Sequence, residues 1–336
     1  MFVHAIEVAC SFTRPIHSIS RNYGSTLIQP GAATLFFVNS DGWALTCKHV
    51  ANQLLVAEQI LKKKTAFSKE LATPADKKRK QRRELERKYG YSQKTIFELY
   101  NNFVNCIEGP LNVKVRIHSD LDIALLHFFD FTQLKCNVFP IFAVTGSDLK
   151  HGKFLCRLGY PFPEFSNFTY DSTIDKIQWT KSGRADTPCF PIEGMVTRHV
   201  VDSTNQVIGF EMSTPGLRGQ SGGPVFDSEG RIWGMQAATA HLDLDFDINQ
   251  EVVRNGTKKQ VTDSAFLHVG HCIHKADDGA SVHCVREAHV ILAASANVGS
   301  HEDISAVFTT CATPGSGWIK YVFELTVEVF ICLEKV

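Results

Sequence analysis

Gly219-Gln220-Ser221-Gly222-Gly223-Pro224-Val225 is the stretch on which the reading of this sequence turns. A serine lies between glycines, and the chain then runs into Pro224 and the apolar Val225-Phe226. Glycine accepts backbone conformations that a Cβ would forbid, so such a turn can aim successive N–H groups at one point and present the serine hydroxyl beside them. A serine hydroxyl is a weak nucleophile at neutral pH. Chemistry through it needs a base within hydrogen-bond reach and a third group that orients the base. The Gly219 and Ser221 amides are the expected oxyanion donors, and Pro224 ends the turn as a strand begins.

Working outward, short apolar runs separated by turn residues dominate both sides of that stretch. Upstream, Ala33-Thr34-Leu35-Phe36-Phe37-Val38 and Trp43-Ala44-Leu45-Thr46 flank Asn39-Ser40-Asp41-Gly42, the pattern of a β-hairpin. Strand texture returns at 113–117, 123–128, 154–156, 176–179, 194–197, 207–210, 224–226 and 232–235. Many short strands with turns between them predict β-barrels or sandwiches. Between about 51 and 108 the composition shifts to Leu, Ala, Lys, Glu, Gln and Arg. Apolar residues recur there at helical spacing, as in Leu54, Leu55 and Leu61 or Ile96, Leu99, Tyr100 and Phe103, so a helical insertion broken near Thr73-Pro74 is expected.

At this point a resemblance becomes specific. Gly-x-Ser-Gly-Gly-Pro-Val resembles the nucleophile motif of the chymotrypsin/trypsin clan of serine peptidases, including the bacterial trypsin-like and high-temperature-requirement proteases. Gly42-Trp43-Ala44-Leu45-Thr46-Cys47-Lys48-His49 resembles the segment that ends at the clan's catalytic base, and Asp122-Ile123-Ala124-Leu125-Leu126 resembles the segment that opens with its orienting carboxylate. The resemblance implies a triad of His49, Asp122 and Ser221, with Asp120 as the alternative carboxylate and Gly219 and Ser221 as the oxyanion hole. It also implies two antiparallel β-barrels of chymotrypsin type, the first over 1–145 with the helical insertion, the second over 146–275 with the nucleophile. Residues 276–336 form a tail of undetermined role. Gly230 to Thr239 resembles the strand that walls the primary specificity pocket, making Ala237, Ala238 and Thr239 substrate-binding candidates. Six residues before Ser221, where a trypsin specific for basic residues keeps an Asp, stands Pro215, which argues against Arg or Lys preference.

Gln220 stands where secreted members carry an Asp, and no cysteine follows His49, so the resemblance points away from zymogen activation and extracellular digestion. Ten cysteines scattered singly over 336 residues read as free thiols. The start at Met1 lacks signal-peptide texture, and the most apolar C-terminal run is broken by Glu324 and Glu328. A cytoplasmic protein with no membrane segment is expected. Net charge is zero, but Lys62 to Lys88 holds twelve Lys/Arg against four Asp/Glu. The run Lys77-Lys78-Arg79-Lys80 is followed by Glu84 and Glu86, which reads as a solvated helix face and a possible regulatory docking arm; nucleic acid is the lesser reading. His268, His271, Cys272 and His274 do not fit a zinc template and are expected on a closing strand or helix, so no metal is assigned. Asp227 and Glu229 read as turn residues. Protein or peptide is the expected substrate and no cofactor is needed; the rival is an idle or gated binding module on the same fold.

Overall fold

A computed structural model describes residues 1–71, 78–143, 148–205, 207–254, 257–274 and 329–332. The fold is mainly β with few helices. A short helix, α1 (Val3–Phe12), leads into β1 (Thr13–Asn22), β2 (Gln29–Phe37) and β3 (Trp43–Thr46). Two helices follow, α2 (Lys48–Leu71) and α3 (Lys78–Tyr89), and then β4 (Ile96–Phe103), the short β5 (Ile107–Glu108), β6 (Asn112–Ile117), β7 (Ala124–Phe129) and β8 (Gln133–Leu134). The rest comprises β9 (Ile141–Phe142), β10 (Phe154–Arg157), the hairpin β11 (Phe168–Asp171) and β12 (Lys176–Trp179), then β13 (Ile192–Val201), β14 (Val207–Met212), β15 (Pro224–Phe226), β16 (Arg231–Arg254), β17 (Thr257–His274) and β18 (Val329–Cys332).

Two seven-stranded sheets carry the site. The first runs β18-β6-β7-β3-β2-β1-β4 and the second β15-β10-β13-β14-β17-β16-β9. In the second, β15 pairs with β10 on one side and with β16 on the other, so six strands pair in a closed circuit. The first sheet is open, with β4 and β18 at its edges. The main apolar core runs through both sheets: Leu35, Phe37, Leu126 and Phe128 of the first belong with Cys156, Phe226, Ile232 and Met235 of the second. The expected hairpin is β2 and β3, with Phe36 opposite Leu45, and Asn39 Oδ1 accepts from the Trp43 amide across its turn. His268, His271 and Cys272 lie on β17, which makes that segment a strand and not a helix. Of the expected tail, 329–332 is β18 on β6, while 276–328 and 333–336 lie outside the described residues.

The helical reading of 51–108 needs one correction. Helices α2 and α3 occupy its first part, with Val50, Leu54 and Ala57 buried along one face of α2. Ile96 to Phe103 is a strand, paired with β1 from Ile16–Phe103 to Ser20–Leu99. Its apolar residues fit both periods. Phe97, Leu99, Asn101 and Phe103 are buried at every second position, and pairing with the edge of β1 satisfies the backbone that a helix would have satisfied internally.

Glu98 of this strand is wholly buried. It pairs with Arg21 of β1 and Lys64 of α2 and accepts from the Ile177 amide of β12 at 3.2 Å, tying four elements together. Because Arg21 is itself buried, Glu98→Gln removes the buried carboxylate that faces it and leaves the exposed Asp175 Oδ1, 2.8 Å from Nη2, as its counter-charge. A loss of about 3–5 kcal/mol in unfolding free energy is expected, measured by urea denaturation.

His17 of β1 is also wholly buried, stacked on Phe165 with ring centroids 4.0 Å apart and Nε2 2.9 Å from Thr187 Oγ1. Burial lowers its pKa to about 4. The unfolded chain binds the proton first, at about pH 6.5. The contribution of His17 is therefore full above that pH and is lost as pH falls toward 4, at about 1.4 kcal/mol per pH unit. Urea midpoints measured between pH 7 and 4.5 should fall, and His17→Gln should flatten that dependence.

Candidate active site

Ser221 sits in a turn wedged between β2 and the chain after β10. Gly219 has φ +101° and Gly222 φ +88°, conformations that side chains with a Cβ rarely adopt. A Cβ on Gly219 would lie 2.6 Å from Tyr160 O, and one on Gly222 would collide with Thr34 O. Thr34 is the hub of the packing. Its amide donates to Ser221 O (3.0 Å), its hydroxyl donates to Gly219 O (2.8 Å) and accepts from the Tyr160 amide (3.1 Å), and its carbonyl accepts from Thr46 Oγ1 (2.7 Å). Gln220 points inward and is wholly buried. Its Oε1 accepts from the Leu217 amide (2.9 Å) and its Nε2 donates to Phe190 O (2.9 Å), so a neutral amide holds this turn.

The turn's own amides divide into two sets. Gln220 donates to Leu217 O, Gly222 to Gln236 O and Gly223 to Gln220 O. Among the described residues, no backbone acceptor faces the Gly219 and Ser221 amides.

His49 opens α2, directly after β3. Asp122 stands two residues before β7, the strand that pairs with β3. Thr46 opposite Ala124 fixes that register and brings the two side chains together. Asp122 Oδ1 accepts from the His49 amide (2.9 Å), and Oδ2 lies 2.8 Å from His49 Nδ1. The carboxylate thus also faces the N-terminal turn of a 24-residue helix, whose dipole favours negative charge there. His49 is half exposed and so open to a substrate. Asp120 instead accepts from Ser119 Oγ at 2.6 Å.

The serine turn approaches this pair through Gln236 O, which accepts both the Gly222 amide (2.9 Å) and Sγ of Cys47, two residues before His49 (3.3 Å). Ser221 Oγ is bonded to Ala237 O at 3.2 Å and not to His49. Ligand-type atoms of Cys47, His49 and Asp122 lie within 4.8 Å of one another. Burial, reinforced by Asp122, pushes the Cys47 thiol far up, which opposes the thiolate that a metal would need.

The specificity candidates occupy two facing segments. Thr239 Oγ1 donates to Gly216 O at 2.6 Å, joining the strand of Ala237, Ala238 and Thr239 to the segment after the exposed Pro215. Ala237 is buried and Ala238 exposed. The Gln236 side chain packs against Gly216, and Arg157 Nη1 holds its Oε1 at 2.7 Å. Arg157 is wholly buried, with Nη2 donating to Thr214 O (2.6 Å) and Oγ1 (2.8 Å). Thr34, Gln236 and Arg157 escaped the sequence reading because the contacts that give them their place, Thr34 to Gly219 and Arg157 to Gln236, span 185 and 79 residues, beyond any local pattern. Asp227 accepts from the Trp233 indole at 2.8 Å and is structural, as its turn position suggested.

A β-rich fold that sets a histidine–aspartate pair beside a glycine-rich serine turn defines the trypsin-like class of peptidase folds. A model of the trypsin-like peptidase domain matches residues 33–235, three-fifths of the chain, and the protein belongs to that family. Among solved structures it is similar to the HtrA-type protease AlgW with decapeptide (9% identity, TM-score 0.44, 85% of this chain and 66% of that one). A variant of AlgW with a tripeptide is similar at 9% identity and TM-score 0.39, over 82% of this chain and 60% of the other. The chain thus spans just under two thirds of the length of these structures. No match to the curated proteins accompanies them. Among the described residues no helix is long and apolar enough to cross a membrane.

Proposed function

We propose that this chain is a serine endopeptidase working through His49, Asp122 and Ser221. The observation that carries this reading is the doubly anchored Asp122–His49 pair beside a serine turn whose Gly219 and Ser221 amides face no backbone acceptor among the described residues. The two sheets are read as the two barrels of the chymotrypsin type, drawn mainly from residues 1–145 and 146–275, with β18 added to the first sheet and β9 to the second and with substrate lying across the junction between Ser221 and His49.

In the acylation step, Ser221 Oγ turns from Ala237 O toward His49 Nε2 and attacks the peptide carbonyl. His49 takes the proton while Asp122 holds Nδ1–H and stabilises the imidazolium. The Gly219 and Ser221 amides receive the oxyanion, and water later releases the acyl-enzyme with His49 as base. The chemistry calls on no cofactor. Pro215, Ala237, Ala238 and Thr239 shape the primary pocket, with Gln236 at its base. The free thiols of Cys10, Cys47, Cys106, Cys136, Cys156, Cys189 and Cys272 fit a reducing, cytoplasmic setting. The basic helices α2 and α3 are the proposed docking arm for a regulatory partner.

The Ser221–Ala237 hydrogen bond favours one second reading, a gated module in which Ser221 engages His49 only when a peptide or partner is bound. Labelling with a fluorophosphonate probe, mapped by mass spectrometry, decides between them. Modification of Ser221 in the free chain is expected. Labelling that needs added peptide supports gating, and no labelling of Ser221 under either condition overturns the peptidase reading.

A further inference from the structure

Cys10 and Cys189 lie 179 positions apart in sequence and belong to different parts of the fold, yet their sulfurs are 3.2 Å apart. Cys10 is in the last turn of α1, and Cys189 is in the segment between β12 and β13. Both are partly exposed, whereas Cys47, Cys106, Cys136, Cys156 and Cys272 are buried. The catalytic chemistry uses neither.

We propose that Cys10 and Cys189 are a modification site, a dithiol that closes to a disulfide by exchange with a low-molecular-weight disulfide. A disulfide needs sulfurs about 2.05 Å apart, so closure asks for about 1.2 Å of approach between two side chains already in contact. The balance is simple. The Cys189 thiolate attacks one sulfur of the small disulfide and expels a thiolate, leaving a mixed disulfide on Cys189. Cys10 then loses its proton to that thiolate, and its sulfur attacks Cys189 Sγ and expels the second thiolate. Two protein thiols are oxidised, and one small disulfide is reduced to two thiols.

The electrostatics assign the roles. A hydrogen bond from Cys10 lowers the Cys189 pKa to about 7, against opposing burial, while the same bond raises Cys10. Cys189 is thus the attacking sulfur and Cys10 the resolving one. The link would reach the nucleophile turn through one residue. Phe190, next to Cys189, accepts Gln220 Nε2 at its carbonyl and donates its amide to Gly159 O at 2.8 Å. Closing the bond ties α1 covalently to the clamp that holds Gln220, next to Ser221.

The test is incubation of the full chain with oxidised glutathione, alkylation, digestion without reductant and mass spectrometry. A crosslinked peptide pair containing Cys10 and Cys189 is expected as the main new species. It should be accompanied by the loss of two titratable thiols, abolished in Cys10→Ser and in Cys189→Ser, and reversed by dithiothreitol. Retention of both thiols, arrest at a glutathione adduct on Cys189, or disulfides distributed over the other cysteines would each overturn the proposal. The decisive readout is made on the native chain and survives any misfolding of the variants.

Discussion

Ser221→Ala is expected to lower the turnover of a fluorescent casein by roughly 10⁴–10⁶-fold and to abolish fluorophosphonate labelling. Removing the hydroxyl removes the atom that would form the acyl-enzyme. Little else changes at this position. Ser221 Oγ makes a single bond to Ala237 O, while the turn is held by Thr34 and Gln220 through backbone and amide contacts that alanine keeps. The thermal midpoint should therefore move little, and KM should stay within a few-fold. Turnover within tenfold of the native chain would refute Ser221 as nucleophile, whatever the fate of the labelling.

Asp122→Asn is expected to cost about 10⁴-fold in kcat, again with KM nearly unchanged. Asp122 accepts twice from His49, at the backbone amide and at ring Nδ1. An asparagine has only one acceptor oxygen. If that oxygen keeps the amide, its NH₂ group faces Nδ1 and selects the tautomer with the proton on Nε2. A ring protonated there cannot take the Ser221 proton. Fluorophosphonate labelling rates, measured with thermal melts of the same preparations, check this: slow labelling of a normally melting variant is the expected pair of results. Asp120→Asn serves as the control and should label at the native rate, because Asp120 is engaged by Ser119.

Much of this site was readable because its signals are local. The serine turn is a run of glycines whose backbone conformations other residues resist, and the hairpin before His49 is written in Asn39 to Gly42. Most strands between 113 and 235 were visible as short apolar runs bounded by turn residues, whereas β8, β9 and β11 were not. Ile96 to Phe103 shows where local reading failed. Its apolar residues recur at positions that serve a helix or a strand equally well, and only the free edge of β1 settled the choice. Helix α1 gave no signal strong enough to be named.

The sequence by itself determined the residue types of the site and their order along the chain: a histidine after one strand, an aspartate before another, a serine in a glycine turn. These follow from backbone sterics and two-residue periodicity, which act within a few positions. The sequence favoured Asp122 over Asp120, and the register of β3 against β7 is what brings the Asp122 carboxylate to His49. Tertiary structure alone decided that Thr34 and Gln220 hold the serine turn and that Cys10 meets Cys189. Such contacts join residues far apart in sequence, and they exist only because two sheets share one core.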